Sequence, residues 1–209
     1  MIRPLLTKDW RGLFRSPLIF LLLAGFLLIV NYLFVLLMLT VGMDGFMPVV
    51  LDNIANLSLV LVPVLVLKLV GEEWVLGTDE WLLTQPIRPI QVIIAKFWAV
   101  FLTAAFFVGL TFCNLGVLAY FCDPAWGPIA AGYLGVFLFI AVLAAIGIAI
   151  SVWARSAMLA AGGTFVVGLL LMAMGWLADS PIAQWFPWLS HFMMGRALVA
   201  FASGSISFS

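Results

Sequence analysis

LIFLLLAGFLLIVNYLFVLLMLTV, Leu18 to Val41, is a run of 24 residues without one Asp, Glu, Lys or Arg. As a helix it is roughly 36 Å long at about 1.5 Å per residue. That length crosses the ~30 Å hydrocarbon core of a bilayer with some tilt. Backbone amides in lipid have to be satisfied within the segment, and the run lacks the alternation of a barrel strand, so it reads as a helix. Similar runs recur at about Ile54–Val70, within Phe97–Cys122, and at about Ile129–Val152 and Ala157–Leu177. The fold class is all-α: a polytopic transmembrane helical protein with about five spans. The second run is the weakest, with Pro63 inside it and Lys68 near its end. The proline removes one backbone bond and is expected to bend that helix, while Lys68 is placed to snorkel to the interface.

Composition agrees. Only 9% of the 209 residues are charged and 66% are hydrophobic, against roughly 25% charged in an ordinary soluble domain. The formal net charge is zero, so nothing suggests a nucleic-acid partner. The first apolar run is far longer than the core of a cleavable signal sequence and no small-residue cleavage site ends it, so it reads as a retained span. Residues 1–209 form a single transmembrane domain. It carries an interfacial helix at 1–16, a cytoplasmic loop at 71–91 and an external tail at 179–209.

The basic residues set the expected orientation. Arg3, Lys8, Arg11 and Arg15 precede the first span; Lys68, Arg88 and Lys96 flank the loop between spans two and three; Arg155 lies between spans four and five. With the N-terminus cytoplasmic, these eight of nine basic residues share one side and only Arg196 is outside. In the tail, Trp185 and Trp188 flank Pro187, and His191–Ala202 is too short to cross.

Two segments stand out as candidate sites. Pro4–Ser16 reads as an amphipathic helix, with Leu6, Trp10, Leu13 and Phe14 on one side and Lys8, Arg11 and Arg15 on another. Such a helix lies in the membrane plane with its basic face towards anionic headgroups or a partner. The loop from Gly71 to Pro86 holds Glu72, Glu73, Asp79 and Glu80, four of the nine acidic residues. Thr78 is a candidate N-cap, Asp79 and Glu80 suit the first turn, and Pro86 stops the helix. The result is a short helix presenting Trp81, Leu82 and Leu83, either as a knob for a cytoplasmic partner or as an interfacial turn whose tryptophans rest among headgroups.

The stretch Glu73…Gly77-Thr78-Asp79-Glu80-Trp81-Leu82-Leu83-Thr84-Gln85-Pro86, followed by Ile93 and Lys96, resembles the signature of ABC-2 type permeases. It is most similar to the small permeases of gliding motility and nitrous-oxide-reductase maturation. The family pattern is an acidic residue, Gly-Thr, an acidic residue, two leucines, a proline and a later lysine. It falls here on Glu73, Gly77, Thr78, Glu80, Leu82, Leu83, Pro86 and Lys96. The resemblance implies a permease subunit of an ATP-driven exporter in the bacterial inner (plasma) membrane. It also implies a second permease subunit, identical or related, and a separate cytoplasmic P-loop ATPase that binds ATP and Mg. The chain has no Gly-x-x-x-x-Gly-Lys-Ser/Thr loop of its own and is expected to be no enzyme and to hold no cofactor. The family has six spans; here the sixth is not found, and the tail resembles the external segment that precedes it. A membrane scaffold or assembly factor is the alternative function.

Chemistry within the chain is sparse. His191 is the single histidine, and Cys113 and Cys122 fit no metal or redox spacing, so no metal site is expected. Asn31, Asn56, Thr111 and Asn114 suit interhelical hydrogen bonds or the lining of a polar cavity. Small residues at Ala141, Ala145 and Ala149 on span four, and at Ala160, Thr164 and Gly168 on span five, predict that these two spans pack closely. Apolar spans with so few charges favour an amphiphilic or lipid-like cargo over a small ion.

Overall fold

The computed structural model describes residues 2–40, 46–76, 89–121, 126–154 and 156–178. Nearly all of them are helical, and no strand occurs among the described residues. In chain order the helices are α1 (Ile2–Arg15), α2 (Pro17–Thr40), α3 (Met47–Leu76), α4 (Pro89–Leu110), α5 (Phe112–Phe121), α6 (Trp126–Ala154) and α7 (Ala157–Ala178). Among the described residues, four stretches are long and apolar enough to cross a membrane: Pro17–Thr40, Met47–Gly71, Ile90–Phe121 and Trp126–Ala154. A shorter apolar stretch, Ala157–Ala173, follows in α7. The protein is therefore an all-α, membrane-embedded helical bundle.

The first span matches its expected limits within a residue at each end, because Pro17 starts the helix where its missing N–H costs nothing. The second is longer than the apolar pattern suggests. α3 begins at Met47 and runs 30 residues through Pro63 without interruption. The polar residues around the start of the apolar run are satisfied within the helix. Asn53 Nδ2 donates to the Val49 carbonyl at 2.8 Å, and Asn56 Nδ2 donates to the Asp52 carbonyl at 2.9 Å and to Asp52 Oδ2 at 3.2 Å. The expected loop at 71–91 is helical at both ends, up to Leu76 and again from Pro89. These helices outrun the hydrocarbon core, so Glu72, Glu73 and Gln91 sit on helix extensions.

α3 is the centre of the bundle. It packs most extensively against α6 and α7, and also against α2, α4 and α1. Helix α6 buries one continuous seam at three- and four-residue spacing: Ile129, Tyr133, Val136, Ile140, Leu143, Ala144, Gly147, Ile148 and Ser151. Two glycines set how closely the three helices meet. A Cβ on Gly147 would come within 2.8 Å of Val66 Cγ2 and 2.9 Å of Thr164 Oγ1; one on Gly168 would collide with Leu59 and approach Leu143 Cδ2 at 3.0 Å.

The expected pairing of spans four and five is thus present, on the expected stripe of α7 but on a different stripe of α6. Ala160 and Thr164 are buried, as expected, whereas Ala145 and Ala149 face outward. Two small-residue stripes run along α6, and the buried one, through Ala144 and Gly147, meets Val66 of α3 and Thr164 of α7 at Gly147. Three buried hydroxyls are satisfied within their own helices, as lipid demands. Ser58 donates to Ile54 O at 2.8 Å, Thr103 to Ala99 O at 2.8 Å and Thr164 to Ala160 O at 2.6 Å.

Candidate functional site

The described candidate site lies where α1 meets the bundle. α1 packs on α4 along much of its length, with further contacts to α2 and α3. Leu13 is fully buried, and Phe14 meets Phe106 of α4 edge-on with ring centroids 5.5 Å apart. Trp10 stacks edge-on against Phe14 at 5.4 Å and stays exposed on its outer side. The amphipathic helix is present as expected, but much of its apolar face is covered by protein. Lys8, Arg11 and Arg15 are all exposed, a basic face free of the bundle.

One residue here was not singled out by the sequence. Asp9 is only 8% exposed, on the packed side of α1. The signal was available: Leu6, Asp9 and Leu13 follow three- and four-residue spacing, so an acid occupies a position in the apolar stripe. A tight elbow then fixes α1 relative to α2. The Ser16 N–H donates to the Leu13 carbonyl, and the Ser16 carbonyl accepts from the Ile19 N–H, both at 3.1 Å.

Of the proposed coupling residues, Glu73 lies in the last turn of α3. Gly77, Thr78, Asp79, Glu80, Trp81, Leu82, Leu83 and Pro86 lie outside the described residues, as does the tail 179–209 with His191. The segment leaves the most heavily packed helix and enters the one that carries α1. Near the end of α3, a Cβ on Gly71 would touch Ala157 Cβ at 3.5 Å, so the first turn of α7 also lies against this end. Lys68 and Lys96 are both half-buried, eight residues before the end of α3 and seven after the start of α4.

A second feature sits at the break between α4 and α5. No proline or glycine occupies the break itself. Instead Thr111 Oγ1 donates to the Val108 carbonyl at 2.6 Å, while the Thr111 N–H bonds the same carbonyl at 3.0 Å in place of the usual fourth-residue partner. The hydroxyl of Tyr133 on α6 lies 3.0 Å from Thr111 Oγ1. This is the interhelical bond expected of Thr111. Asn31 and Asn56 instead bond their own helices, and the buried Asn114 Nδ2 has no partner among the described residues. Beside the break is an apolar groove of about 470 Å³ lined by Phe112, Leu115, Trp126, Ile129, Tyr133 and Phe137, among others. Among the described residues, no three His, Cys, Asp or Glu side chains are grouped to hold a metal ion.

No protein-family model, no curated protein and no solved structure matches the chain.

Proposed function

We propose that the chain is the membrane-spanning subunit of an ATP-driven, ABC-2 type exporter, with its N-terminus cytoplasmic in a bacterial inner membrane. The observation that carries this reading is the Glu73…Gly77-Thr78-Asp79-Glu80-Trp81-Leu82-Leu83…Pro86 signature at the junction of α3 and α4. In this reading the 78–85 segment docks on a cytoplasmic P-loop ATPase, which binds ATP and Mg. A second permease subunit completes the pathway. Closure of the ATPase dimer pulls the docked segment, and the pull reaches the centre of the bundle through α3 and the α1-bearing α4. The exposed basic face of α1 adds contact with anionic headgroups or with the ATPase.

The test is recovery of partners with a tagged chain in mild detergent. A co-purifying P-loop ATPase whose hydrolysis rises in the complex supports the proposal. Recovery of the intact chain without any such ATPase, from cells that encode one nearby, overturns it and favours a scaffold or assembly factor.

A further inference from the structure

α2 has two unlike faces. Ile19, Phe26, Val30 and Phe34 are buried on one side. On the other side Leu21, Leu28, Val35 and Leu39 are 71%, 69%, 53% and 79% exposed. Leu21, Leu28 and Val35 are seven residues apart, and Ala24 and Asn31 stand three residues after the first two of them. At about 100° per residue all five share one stripe opposite the buried one. This is the a/d spacing of a helix that pairs with another helix.

An apolar outward face alone is ordinary for a lipid-facing helix. Asn31 is not. It lies within about 4 Å of the midpoint of α2, at about 1.5 Å per residue, and is exposed. Its Nδ2 donates to the Leu27 carbonyl at 2.7 Å, and its carboxamide oxygen has no protein partner among the described residues. A carboxamide facing hydrocarbon near mid-bilayer is costly unless another helix supplies its partner. Between them, Ala24 and Gly25 are exposed, and a Cβ on Gly25 would meet nothing within 4 Å, which leaves room for close backbone approach.

We infer that the Leu21–Ala24–Leu28–Asn31–Val35 face of α2 is the surface on which two copies of this chain pair. A two-fold axis at this face brings each Asn31 against its twin, so that the oxygen of one accepts from the amide of the other. A self-complementary carboxamide is satisfied by its own copy without any further polar group. The inference rests on the paired-permease reading for the presence of a second subunit; the face itself is read from α2.

The test uses the full chain in membranes, with Cys113→Ser and Cys122→Ser as background. Single cysteines at Leu21, Ala24, Leu28 and Val35 on the stripe are compared with the exposed Ile29 and Leu36 on the other flank, under mild oxidation. Disulfide-linked dimers are expected at the stripe positions and not at the flank, because a disulfide needs Cα atoms about 4.4–6.8 Å apart. Asn31→Leu is expected to weaken dimerisation in detergent about tenfold, equivalent to about 1.4 kcal/mol, while Asn31→Gln retains it. Absent or non-periodic cross-linking overturns the inference, as does an Asn31→Leu chain that dimerises like wild type. ATPase recovery is scored on the same samples. Cross-linking without an ATPase keeps this face and removes the transporter reading; an ATPase without periodic cross-linking does the reverse.

Discussion

Gly147→Ala adds one methyl group where α3, α6 and α7 converge. The new Cβ would stand 2.8 Å from Val66 Cγ2 and 2.9 and 3.3 Å from Thr164 Oγ1 and Cγ2. Neither neighbour can step aside cheaply. Val66 is β-branched and holds one favoured χ1 in a helix, and Thr164, which can choose between two, has its Oγ1 tied to the Ala160 carbonyl at 2.6 Å. Overpacking of this kind costs about 1–3 kcal/mol. The same substitution at Gly162 is the control, because a Cβ there meets nothing within 4 Å. Both changes gain the same helix propensity, up to about 1 kcal/mol for Gly→Ala, so their difference isolates the clash. Gly147→Ala should therefore unfold more easily than Gly162→Ala by about 1–3 kcal/mol in an SDS titration from mild detergent. Removing the opposing side chain should restore part of the loss: Gly147→Ala combined with Thr164→Ala should be non-additive by at least about 0.5 kcal/mol. Equal stability of Gly147→Ala and Gly162→Ala, or strict additivity with Thr164→Ala, would refute the three-helix packing described here.

Further outcomes follow from the same structure. Tyr133→Phe and Thr111→Val each remove one side of the 3.0 Å bond between α6 and the α4–α5 break, and a double-mutant cycle should give a coupling of about 0.6 kcal/mol; zero coupling means the bond contributes nothing. In a background without Cys113 and Cys122, Gly45→Cys should react with an impermeant maleimide in intact cells and Thr78→Cys should not; the opposite pattern reverses the topology. Trp81→Ala should reduce ATPase recovery more than Thr78→Ala, since a buried aromatic anchor is worth about 2 kcal/mol or more and an N-cap about 1. Both variants should insert normally, and a larger loss at Thr78 would assign the segment a different role.

What the sequence made legible depended on how each signal is generated. Leu18–Val41 matches to within a residue because no charged side chain interrupts it and Pro17 marks its start. α3 outruns the apolar run that begins at about Ile54 because Asp52 and Asn53, though polar, stay helical: Asn53 bonds Val49 and Asp52 holds Asn56. The same applies to Gln91 and Lys96, which lie on a helix that starts at Pro89. The break at Thr111 carries no proline or glycine, and the bonds of its hydroxyl and N–H to the Val108 carbonyl mark it. On α6 the alanines at 141, 145 and 149 were as good a stripe by spacing as Ala144 and Gly147; only the partner helices decide between them. Asp9 was readable as an acid in an apolar stripe, yet its burial depends on α4, which the local pattern of α1 does not contain.

The central claim is that the segment between α3 and α4 touches an ATPase. A photo-crosslinking amino acid in place of Trp81 in living cells tests it directly, with the same substitution at Gly45 as the control. The account predicts a light-dependent adduct from the Trp81 position to a protein carrying a P-loop, and none from Gly45. An adduct from neither position, or from both alike, would contradict it.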